Sequence, residues 1–383
     1  MKIRIFVFLG IINLLFSCNT KNKNALERNE YAKDTLVINP LNSYKVNYSE
    51  VFSKIEYIPI PSDSNFLVGE IDKLEVTDNY VILMDKYITN SVFVFYKNGQ
   101  KRIKIHKQGR GPGEYVALMD VYFDVKQQAI VIHCGIRKKL LFYNLSGEFF
   151  KEQSLPYYTT RVIPISNNYA FFCDNTLNES ISKDNYAPNI LLVSKTNKLL
   201  SSSCLFYRGV NKAVVYSSNP DFSYWNDNVA SIKPDHSNLI YYITTESIYP
   251  AYKLDFGKYS IDSRYWTEAE RKDATVEKVD KYCYEHGLCE SLNMLEDENY
   301  LFFRYKYKKK LHNVIYSKRT SKLINASIFW NDMDQITAFF PKLIKDGKIY
   351  CLLIISAKVS HHYGKVSHLQ KLGGFVCKCS NII

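Results

Sequence analysis

The sequence lacks the short motifs that mark the most common enzyme active sites. It has no HExxH zinc motif, no glycine-rich phosphate loop between a strand and a helix, and no serine nucleophile elbow with His and Asp partners. Stretches rich in Ala, Leu and Glu are missing, whereas Tyr (31 residues) and Phe (22 residues) are abundant among the 383 residues. Aromatic residues suit half-buried pleated surfaces. The composition therefore predicts an all-β protein, and no catalytic residue is assigned.

The N-terminus has the pattern of an exported protein. Lys2 and Arg4 give a positive start, and the apolar run of residues 5–16 is too short to span a bilayer. The sequence Leu-Phe-Ser-Cys that ends at Cys18 resembles a lipobox, in which the cysteine receives a lipid. Residues 1–17 are therefore predicted to be a lipoprotein signal peptide, and residues 18–49 a tether and N-terminal lead-in. The alternative is an ordinary signal peptide in which Cys18 stands by chance.

The positive charge is weak evidence for any particular partner. The formal net charge is +12, and Lys2 and Arg4 of the signal peptide contribute two of these charges. Residues 347–383 add five lysines and no Asp or Glu. The body of the protein therefore holds only about half of the excess. Because export also argues against nucleic acid, no nucleic-acid partner is predicted.

Cysteine and histidine spacing does not define a metal site. The nine cysteines include Cys18, and the other eight show no regular framework, so disulfide pairing stays open. Cys283, His286 and Cys289 have ligand-like spacing but do not complete a tetrahedral site. A second group lies in the C-terminal tail and comprises His361, His362, His368, Cys377 and Cys379. No metal and no cofactor are predicted.

A repeated hairpin pattern predicts the fold. Six segments place a polar turn between two short apolar runs, as a hairpin requires. These segments are residues 74–84, 121–132, 162–172, 222–232, 292–303 and 341–353. Their spacing of roughly 40–70 residues suits one four-stranded propeller blade each.

A second hairpin follows the first in five of these periods. Strand–turn–strand segments occupy residues 92–105, 140–153, 190–202, 240–256 and 314–327. Two hairpins per period predict a six-bladed β-propeller of four-stranded antiparallel blades over residues 50–355. Residues 51–60 (VFSKIEYIPI) are predicted to supply the outer strand of the last blade. That strand closes the ring and removes exposed sheet edges.

Two further segments depart from the repeat. Residues 263–287 are predicted to form one short helical insertion, because Thr267 and Glu270 make a capping box and Gly287 is placed to end the helix. Residues 356–383 lack acidic residues and strand alternation. The tail is therefore predicted to be poorly packed and the last blade incomplete. A frameshifted or truncated gene end and a genuine variant tail are both compatible with this pattern.

Four motifs carry a family resemblance. FSKIEYIPI (52–60), GEIDKL (69–74), GRGPGEY (109–115) and SNLIYYI (237–243) are similar to the six-bladed β-propeller lipoproteins of unknown function, which have the shape of NHL-type propellers. The resemblance covers roughly residues 50–350, and GRGPGEY is its most specific part. It implies the fold and an envelope location, and it carries over no catalytic residues.

Candidate ligand-binding residues come from sorting the loops by face. In a propeller, the loops that join second to third strands, and blade to blade, open on one face, which we call the upper face; the turns between first and second strands open on the lower face. The upper-face loops are predicted to be basic, through Lys86, Lys107, Arg110, Arg137, Lys138, Lys139, Lys233, Arg304, Lys306, Lys308, Lys309 and Lys310. The lower-face turns are predicted to be acidic, through Asp78, Asp227, Glu296, Asp297, Glu298 and Asp346.

From this basic face, five residues are selected as the predicted ligand site: Arg110, Glu114, Arg137, Lys139 and Arg304. Arg110 and Glu114 lie in the loop GRGPGEY, between the first and second blades. A purely conformational role for this loop stays open, because Gly-Pro sequences commonly serve only to turn the chain. A solvated lysine surface is the corresponding alternative for the basic face.

Asp85 and Asp174 end strands that face the predicted channel and are the best candidates for a channel-bound calcium ion. The equivalent positions in other blades hold His133 and Arg304, which do not suit an all-oxygen site. Aspartates at strand ends more often cap turns.

Together these features predict a non-catalytic binding lipoprotein of the bacterial cell envelope, anchored by lipid in the outer membrane. Its predicted partner is an anionic glycan or an envelope protein. The alternative is a metal-dependent hydrolase or lyase with its site in the propeller channel.

Overall fold

The computed structural model describes residues 31–60, 66–97, 102–183, 186–207, 222–235, 237–261, 276–334, 340–355 and 373–382. Strands dominate these residues, because the sequence alternates short apolar runs with turn-forming residues. Three strands precede the first complete blade: β1 (Asp34–Val37), β2 (Tyr44–Asn47) and β3 (Phe52–Ile60). The remaining strands form blades I to VI in chain order.

Blade I contains β4 (Lys73–Val76), β5 (Tyr80–Asp85), β6 (Ser91–Tyr96) and β7 (Arg102–Ile105). Blade II contains β8 (Asp120–Asp124), β9 (Ala129–Cys134), β10 (Lys139–Tyr143) and β11 (Phe149–Ser154). Blade III contains β12 (Arg161–Ile165), β13 (Asn168–Phe172), β14 (Tyr186–Ser194) and β15 (Leu199–Tyr207).

Blade IV contains β16 (Ser223–Asn226), β17 (Val229–Ile232), β18 (Leu239–Thr244) and β19 (Ile248–Asp255). Blade V contains β20 (Cys289–Glu296), β21 (Tyr300–Tyr307), β22 (Lys310–Ser317) and β23 (Leu323–Trp330). Blade VI contains β24 (Pro341–Lys345), β25 (Lys348–Ile355) and β26 (Gly373–Ile382). A helix, α1 (Val276–His286), precedes blade V, and short 3-10 turns cover Pro40–Asn42, Tyr48–Glu50, Gly135–Arg137, Glu179–Ile181 and Gly257–Tyr259.

The strands form six separate sheets, in which β4 to β26 follow chain order from the inside outwards, and β1, β2 and β3 lie at the outer edges of blades IV, V and VI. The predicted six-bladed β-propeller of antiparallel blades is therefore confirmed, and all six predicted first hairpins coincide with the first two strands of a blade. Two blades are larger than predicted, since β1 adds a parallel fifth strand to β19 of blade IV, and β2 adds one to β23 of blade V.

The core is divided into interfaces between neighbouring blades. Each of six buried apolar clusters combines residues from two adjacent blades, and the last joins blade VI to blade I. In β5, Ile82 and Met84 pack toward blade II, whereas Val81 and Leu83 pack toward blade VI. Alternate residues of a strand point to opposite sides. A strand that is covered on both sides therefore reads as a continuous apolar run.

The ring is closed by the N-terminal strand β3, as predicted. β3 is the outermost strand of blade VI and pairs antiparallel with β26, from Phe52 opposite Ile382 to Ile60 opposite Gly374. The predicted absence of strand structure after about residue 355 is wrong for β26, whose other edge pairs with β25. Val376, Cys379 and Ile382 are buried there. These three apolar residues recur at every third position instead of every second, so the sequence pattern did not predict the strand. Its backbone is nevertheless paired on both edges.

The helical insertion is confirmed at its C-terminus. α1 ends at His286, and Gly287 follows with a φ of +62°. The Leu288 N–H donates to the Cys283 carbonyl at 2.7 Å, so a glycine in the left-handed region ends the helix as expected. The predicted capping box of Thr267 and Glu270 lies outside the described residues.

Asp120 joins the innermost strands of three blades. Its side chain is fully buried at the start of β8, where Oδ1 accepts a hydrogen bond from Lys73 Nζ of β4 at 2.8 Å. Oδ2 accepts from the Val162 N–H of β12 at 3.0 Å. Because a buried carboxylate without such donors is very costly, this contact fixes the relative positions of blades I, II and III, on which the candidate site lies.

Candidate functional site

A cleft of about 360 Å³, which we call the upper-face cleft, opens between blades I, II and III. Its walls come from upper-face loops and from the start of β12. The lining residues are Lys86, Tyr87, Met119, Gly135, Ile136, Tyr158, Thr159, Thr160, Arg161, Asp174 and Thr176. The volume lies within the range of roughly 300–1,000 Å³ that small-ligand sites occupy.

Asp174 lies in a tight turn that follows β13. Asp174 and Asn175 have φ angles of +50° and +56°, and the Thr176 N–H donates to the Cys173 carbonyl at 2.9 Å. This is type I′ geometry, which Asn, Asp and Gly adopt most readily. Asn189 holds the turn, because its Oδ1 accepts from the Asn175 N–H at 2.9 Å and its Nδ2 donates to Asn175 Oδ1 at 3.1 Å. The turn therefore needs a residue of this kind at position 174 but not a carboxylate.

The Asp174 side chain is only 8% exposed. Within the described residues, no group donates a hydrogen bond to its carboxylate. Burial raises the pKa of Asp174 from 3.8 to about 7; the negative charge of Asp235 adds to this rise, while Arg161 and Lys86 oppose it. The cleft therefore contains a carboxyl group that is close to half protonated at neutral pH.

Asp85, the other aspartate considered for a calcium site, ends β5 of blade I and has a different role. It is fully buried, and its carboxylate accepts hydrogen bonds from the Gly69 N–H at 2.7 Å, from the Ile88 and Thr89 N–H groups at 3.1 Å, and from Thr89 Oγ1 at 2.8 Å. Asp85 caps its own loop, as strand-end aspartates commonly do. Its oxygens are fully occupied by the fold, so the sequence-based calcium hypothesis loses one of its two acidic ligands.

Arg161 and His133 contribute one fixed charge and one neutral ring beside the cleft. Arg161 is 5% exposed, and its Nη1 donates to the carbonyls of Met119 and Thr160 at 3.0 and 3.1 Å. His133 is fully buried with Nε2 3.1 Å from Thr159 Oγ1. Burial, followed by the charges of Arg161 and Lys73, lowers the pKa of His133 to about 3. His133 therefore stays neutral at physiological pH.

Two lysine–tyrosine pairs stand at the rim of the upper-face cleft. Lys86 Nζ lies 4.9 Å from the centre of the Tyr87 ring, and Lys138 Nζ lies 4.9 Å from the centre of the Tyr158 ring. Tyr87 and Tyr158 are 59% and 44% exposed. Each pair offers an apolar ring face next to a positive charge.

The loop 109–115 is tightly folded beside this rim. Glu114 turns back so that Oε2 accepts from the Gly111 N–H at 2.7 Å, and a side chain at Gly109 would meet that same oxygen at 2.0 Å. Arg137 Nη1 donates to the Arg110 carbonyl at 3.0 Å, while Arg110 itself is exposed. The structure thus brings Arg110, Glu114 and Arg137 together, with Glu114 holding the loop.

Lys139 and Arg304 lie apart from Arg110, Glu114 and Arg137. Lys139 forms an ion pair of 2.5 Å with Glu152 on the neighbouring strand β11. Arg304 lies in blade V, where its Nε and Nη2 donate to Asn293 Oδ1 at 3.1 and 2.9 Å, and burial lowers its pKa. Blade V is opposite blade II in a six-membered ring. Arg304 therefore lies across the ring from the other four predicted residues.

The predicted division of charge between the faces is also altered. On the lower face, Glu296 and Asp297 are buried, and Glu296 forms an ion pair with Lys318 at 2.7 Å. On the upper face, Lys233 is 2% exposed, and Lys306 lies 3.1 Å from Asp280 of α1. These charged residues are buried or paired with residues of neighbouring elements. The position of a residue in a loop does not by itself predict such pairing. The basic residues that line the cleft are Lys86 and Arg161, and Lys138 stands beside Tyr158 at its rim.

The cysteines and histidines do not gather into a cluster in the part of the chain that the structure describes, where no three His, Cys, Asp or Glu residues are arranged to hold a metal ion. Cys283 and Cys289 are buried free thiols, and burial raises the pKa of each to about 12. His286 is exposed and stacks on Tyr282. Cys18 and the tail residues His361, His362 and His368 lie outside the described residues. None of the described helices is both long and apolar enough to cross a membrane.

The closed ring and its upper-face cleft define the class of protein, a six-bladed β-propeller with a small-ligand-sized site among its upper loops. Residues 35–372 match a family described as a domain of unknown function, DUF4934, and the chain belongs to that family. The resemblance seen in the sequence motifs, to six-bladed propellers of unknown function, is thereby confirmed.

Many solved structures are similar to this chain, and two of them have TM-scores above 0.5 over most of its length. A predicted exported protein from Bacteroides fragilis has a TM-score of 0.65 at 15% identity, over 90% of this chain and 100% of its own. A member of the DUF4221 family from Bacteroides vulgatus has a TM-score of 0.53 at 9% identity, over 87% of this chain and 98% of its own. At these identities the likeness concerns the fold. No curated protein matches the sequence.

Proposed function

We propose that this chain is an exported, lipid-anchored protein of the bacterial cell envelope that binds an anionic glycan in the upper-face cleft without catalysing a reaction on it. Export is supported by the signal-peptide pattern and by the fold shared with the predicted exported protein of Bacteroides fragilis. In this proposal Cys18 carries the lipid, and the outer membrane is the membrane that it anchors to.

The observation that supports this ligand class is the pair of lysine–tyrosine contacts at the rim. An exposed tyrosine ring gives a flat apolar surface for the C–H face of a sugar ring, at little entropic cost. Lys86 and Lys138 place a positive charge beside each ring, and Arg161 adds a third near the floor. Such an arrangement attracts uronic-acid or sulfated sugars. The cleft volume suits one or two sugar rings better than a protein loop with its wider contact area.

The direct test is calorimetric titration of the mature chain with oligogalacturonate and with the neutral galacto-oligosaccharide of equal length. We expect only the acidic sugar to bind, and its affinity to fall as salt rises. Lys86→Ala and Lys138→Ala should each weaken binding roughly three- to tenfold, the loss of about 1 kcal/mol for one partly exposed charge contact.

Lys195→Ala is the matched control. Lys195 also stands over a tyrosine, 6.0 Å from the Tyr169 ring, but it lies in the β14–β15 turn on the lower face. Arg304→Ala should likewise leave affinity unchanged, because Arg304 is held by Asn293 in blade V. Equal binding of acidic and neutral sugars, or affinity unaffected by both rim substitutions, would contradict the proposal.

A further inference from the structure

The carboxyl group of Asp174 is not required by the fold. Its turn is held by Asn189 and by backbone hydrogen bonding, and asparagine adopts the same left-handed conformation as aspartate. A buried carboxyl without hydrogen-bond donors destabilises the folded state. A residue that lowers the stability of the fold and also lines a cleft is a candidate for ligand binding. For Asp174, the ligand would supply the missing hydrogen-bond partner.

The cations that line the cleft determine which protonation state of Asp174 suits an anionic ligand. The carboxyl lines the cleft below a rim that carries Lys86, and Arg161 lines the same cleft. An ionised Asp174 would repel an anionic ligand that these cations attract. A neutral carboxylic acid has one O–H to donate, and a hydrogen bond to an ionised acceptor is roughly twice as strong as one between neutral groups.

We infer that Asp174 is the ligand-contacting residue at the floor of the upper-face cleft, and that it binds an anionic sugar as a neutral acid by donating its O–H to a carboxylate or sulfate oxygen of the ligand. This inference rests on the proposed function and adds to it that binding takes up a proton. The site should therefore favour acidic sugars most strongly in mildly acidic surroundings.

The pH dependence of ligand binding can be assigned to Asp174 only if the charged groups around it do not titrate in the same range. These groups are Arg161 from β12, Lys86 from the β5–β6 loop and Asp235 from the β17–β18 loop, while His133 of β9 lies behind Thr159. His133, with a pKa of about 3, does not change its charge above pH 5. Lys233, close to Asp235, has a pKa that burial lowers to about 8, so it stays mostly protonated up to pH 7.5.

The size of the effect follows from the protonated fraction. With a pKa of about 7 for Asp174, the competent neutral form falls from roughly nine-tenths at pH 6 to roughly one-tenth at pH 8, and apparent affinity falls by the same factor. Wild-type affinity should therefore weaken about tenfold between pH 6 and pH 8, with most of the fall at or above pH 7.

The experiment is titration of the mature chain with digalacturonate, which stays ionised throughout, from pH 5.5 to pH 8. Asp174→Asn should bind with an affinity that changes less than about twofold over pH 5.5–7.5, because its amide donates without titrating. Asp227→Asn is the control, since Asp227 is an exposed lower-face acid paired with Lys126 at 3.4 Å; it should keep the wild-type profile. Asp235→Asn should shift the wild-type midpoint to lower pH.

The outcomes separate the inference from the proposal on which it rests. Wild-type affinity that is flat across the range, or that rises with pH, overturns the inference alone, as does a full pH dependence in Asp174→Asn. Absence of digalacturonate binding at every pH overturns the proposed ligand class, and the inference with it. A tenfold fall confined to proteins that retain Asp174 supports both.

Discussion

Asp174→Asn should make the folded protein more stable at neutral and alkaline pH. The folded state holds a proton on Asp174 up to a pKa of about 7, whereas the reference carboxyl releases it near 3.8. Between these values the folded chain binds more protons than the unfolded chain, so its stability falls as the pH rises, and the penalty is complete above pH 7. Below about pH 4 both states are protonated and the penalty vanishes.

The magnitude follows from the shift. About three pKa units at 1.36 kcal/mol each set an upper value near 4 kcal/mol. A realistic expectation for this nearly enclosed group is a gain of about 2–4 kcal/mol for Asp174→Asn at pH 8. At pH 4 the two proteins should differ by less than about 1 kcal/mol, because asparagine and protonated aspartate have nearly the same shape and both form the type I′ turn.

Urea unfolding of the mature chain, followed by far-ultraviolet circular dichroism at pH 4, 6 and 8, measures this difference. The free energy of unfolding of the wild type should approach that of Asp174→Asn as the pH falls. Asp227→Asn controls for the general effect of removing a negative charge. Equal stability of wild type and Asp174→Asn at pH 8 would refute the reasoning, since it would mean that the carboxyl is solvated or hydrogen-bonded in solution.

Two further predictions concern the ring and the anchor. Asp120→Ala should lower the free energy of unfolding by about 3–5 kcal/mol, because it leaves the buried Lys73 ammonium and the Val162 N–H without this partner; Lys281→Ala, which removes an exposed helical ion pair, should change it by less than about 0.5 kcal/mol in the same urea titration. Cys18→Ala should release the protein from sedimented membranes, and retention in the membrane fraction would rule out the lipid anchor.

The architecture was predictable because it depends on local signals that recur. Each blade begins with two apolar runs around a polar turn, and strands such as β5, which are covered on both sides, read as continuous apolar runs. The short N-terminal strands β1 and β2 gave no comparable signal. They are only four residues long and pair at the outer edges of blades IV and V. Contacts between residues far apart in sequence decide such pairing.

The candidate site was less predictable, because charge and loop position do not determine burial. Lys86 and Lys138 were among the basic loop residues, but Lys233 and Lys306 belong to the same set and are engaged by neighbouring groups. Arg161 is the first residue of the inner strand β12. Its position in the sequence did not predict that it would line a cleft. A useful signal was the dipeptide Asp174-Asn175, since it predicts a type I′ turn and thus fixes which residues face the loop side.

Residues near the ends of second strands have different roles around the ring. In blade I the fold supplies four donors to Asp85. In blade II His133 is enclosed and neutral, and after β17 the Lys233 ammonium donates to three backbone carbonyls. Asp174 differs from these three because it reaches a cleft and receives no hydrogen bond from the described chain. Since Asn189 caps the turn, the acid at this position adds nothing to the stability of the blade. In the proposed complex the ligand supplies the hydrogen-bond partner that the described chain does not, and the proton on Asp174, rather than the total positive charge of the upper face, should then decide which ligands the cleft accepts.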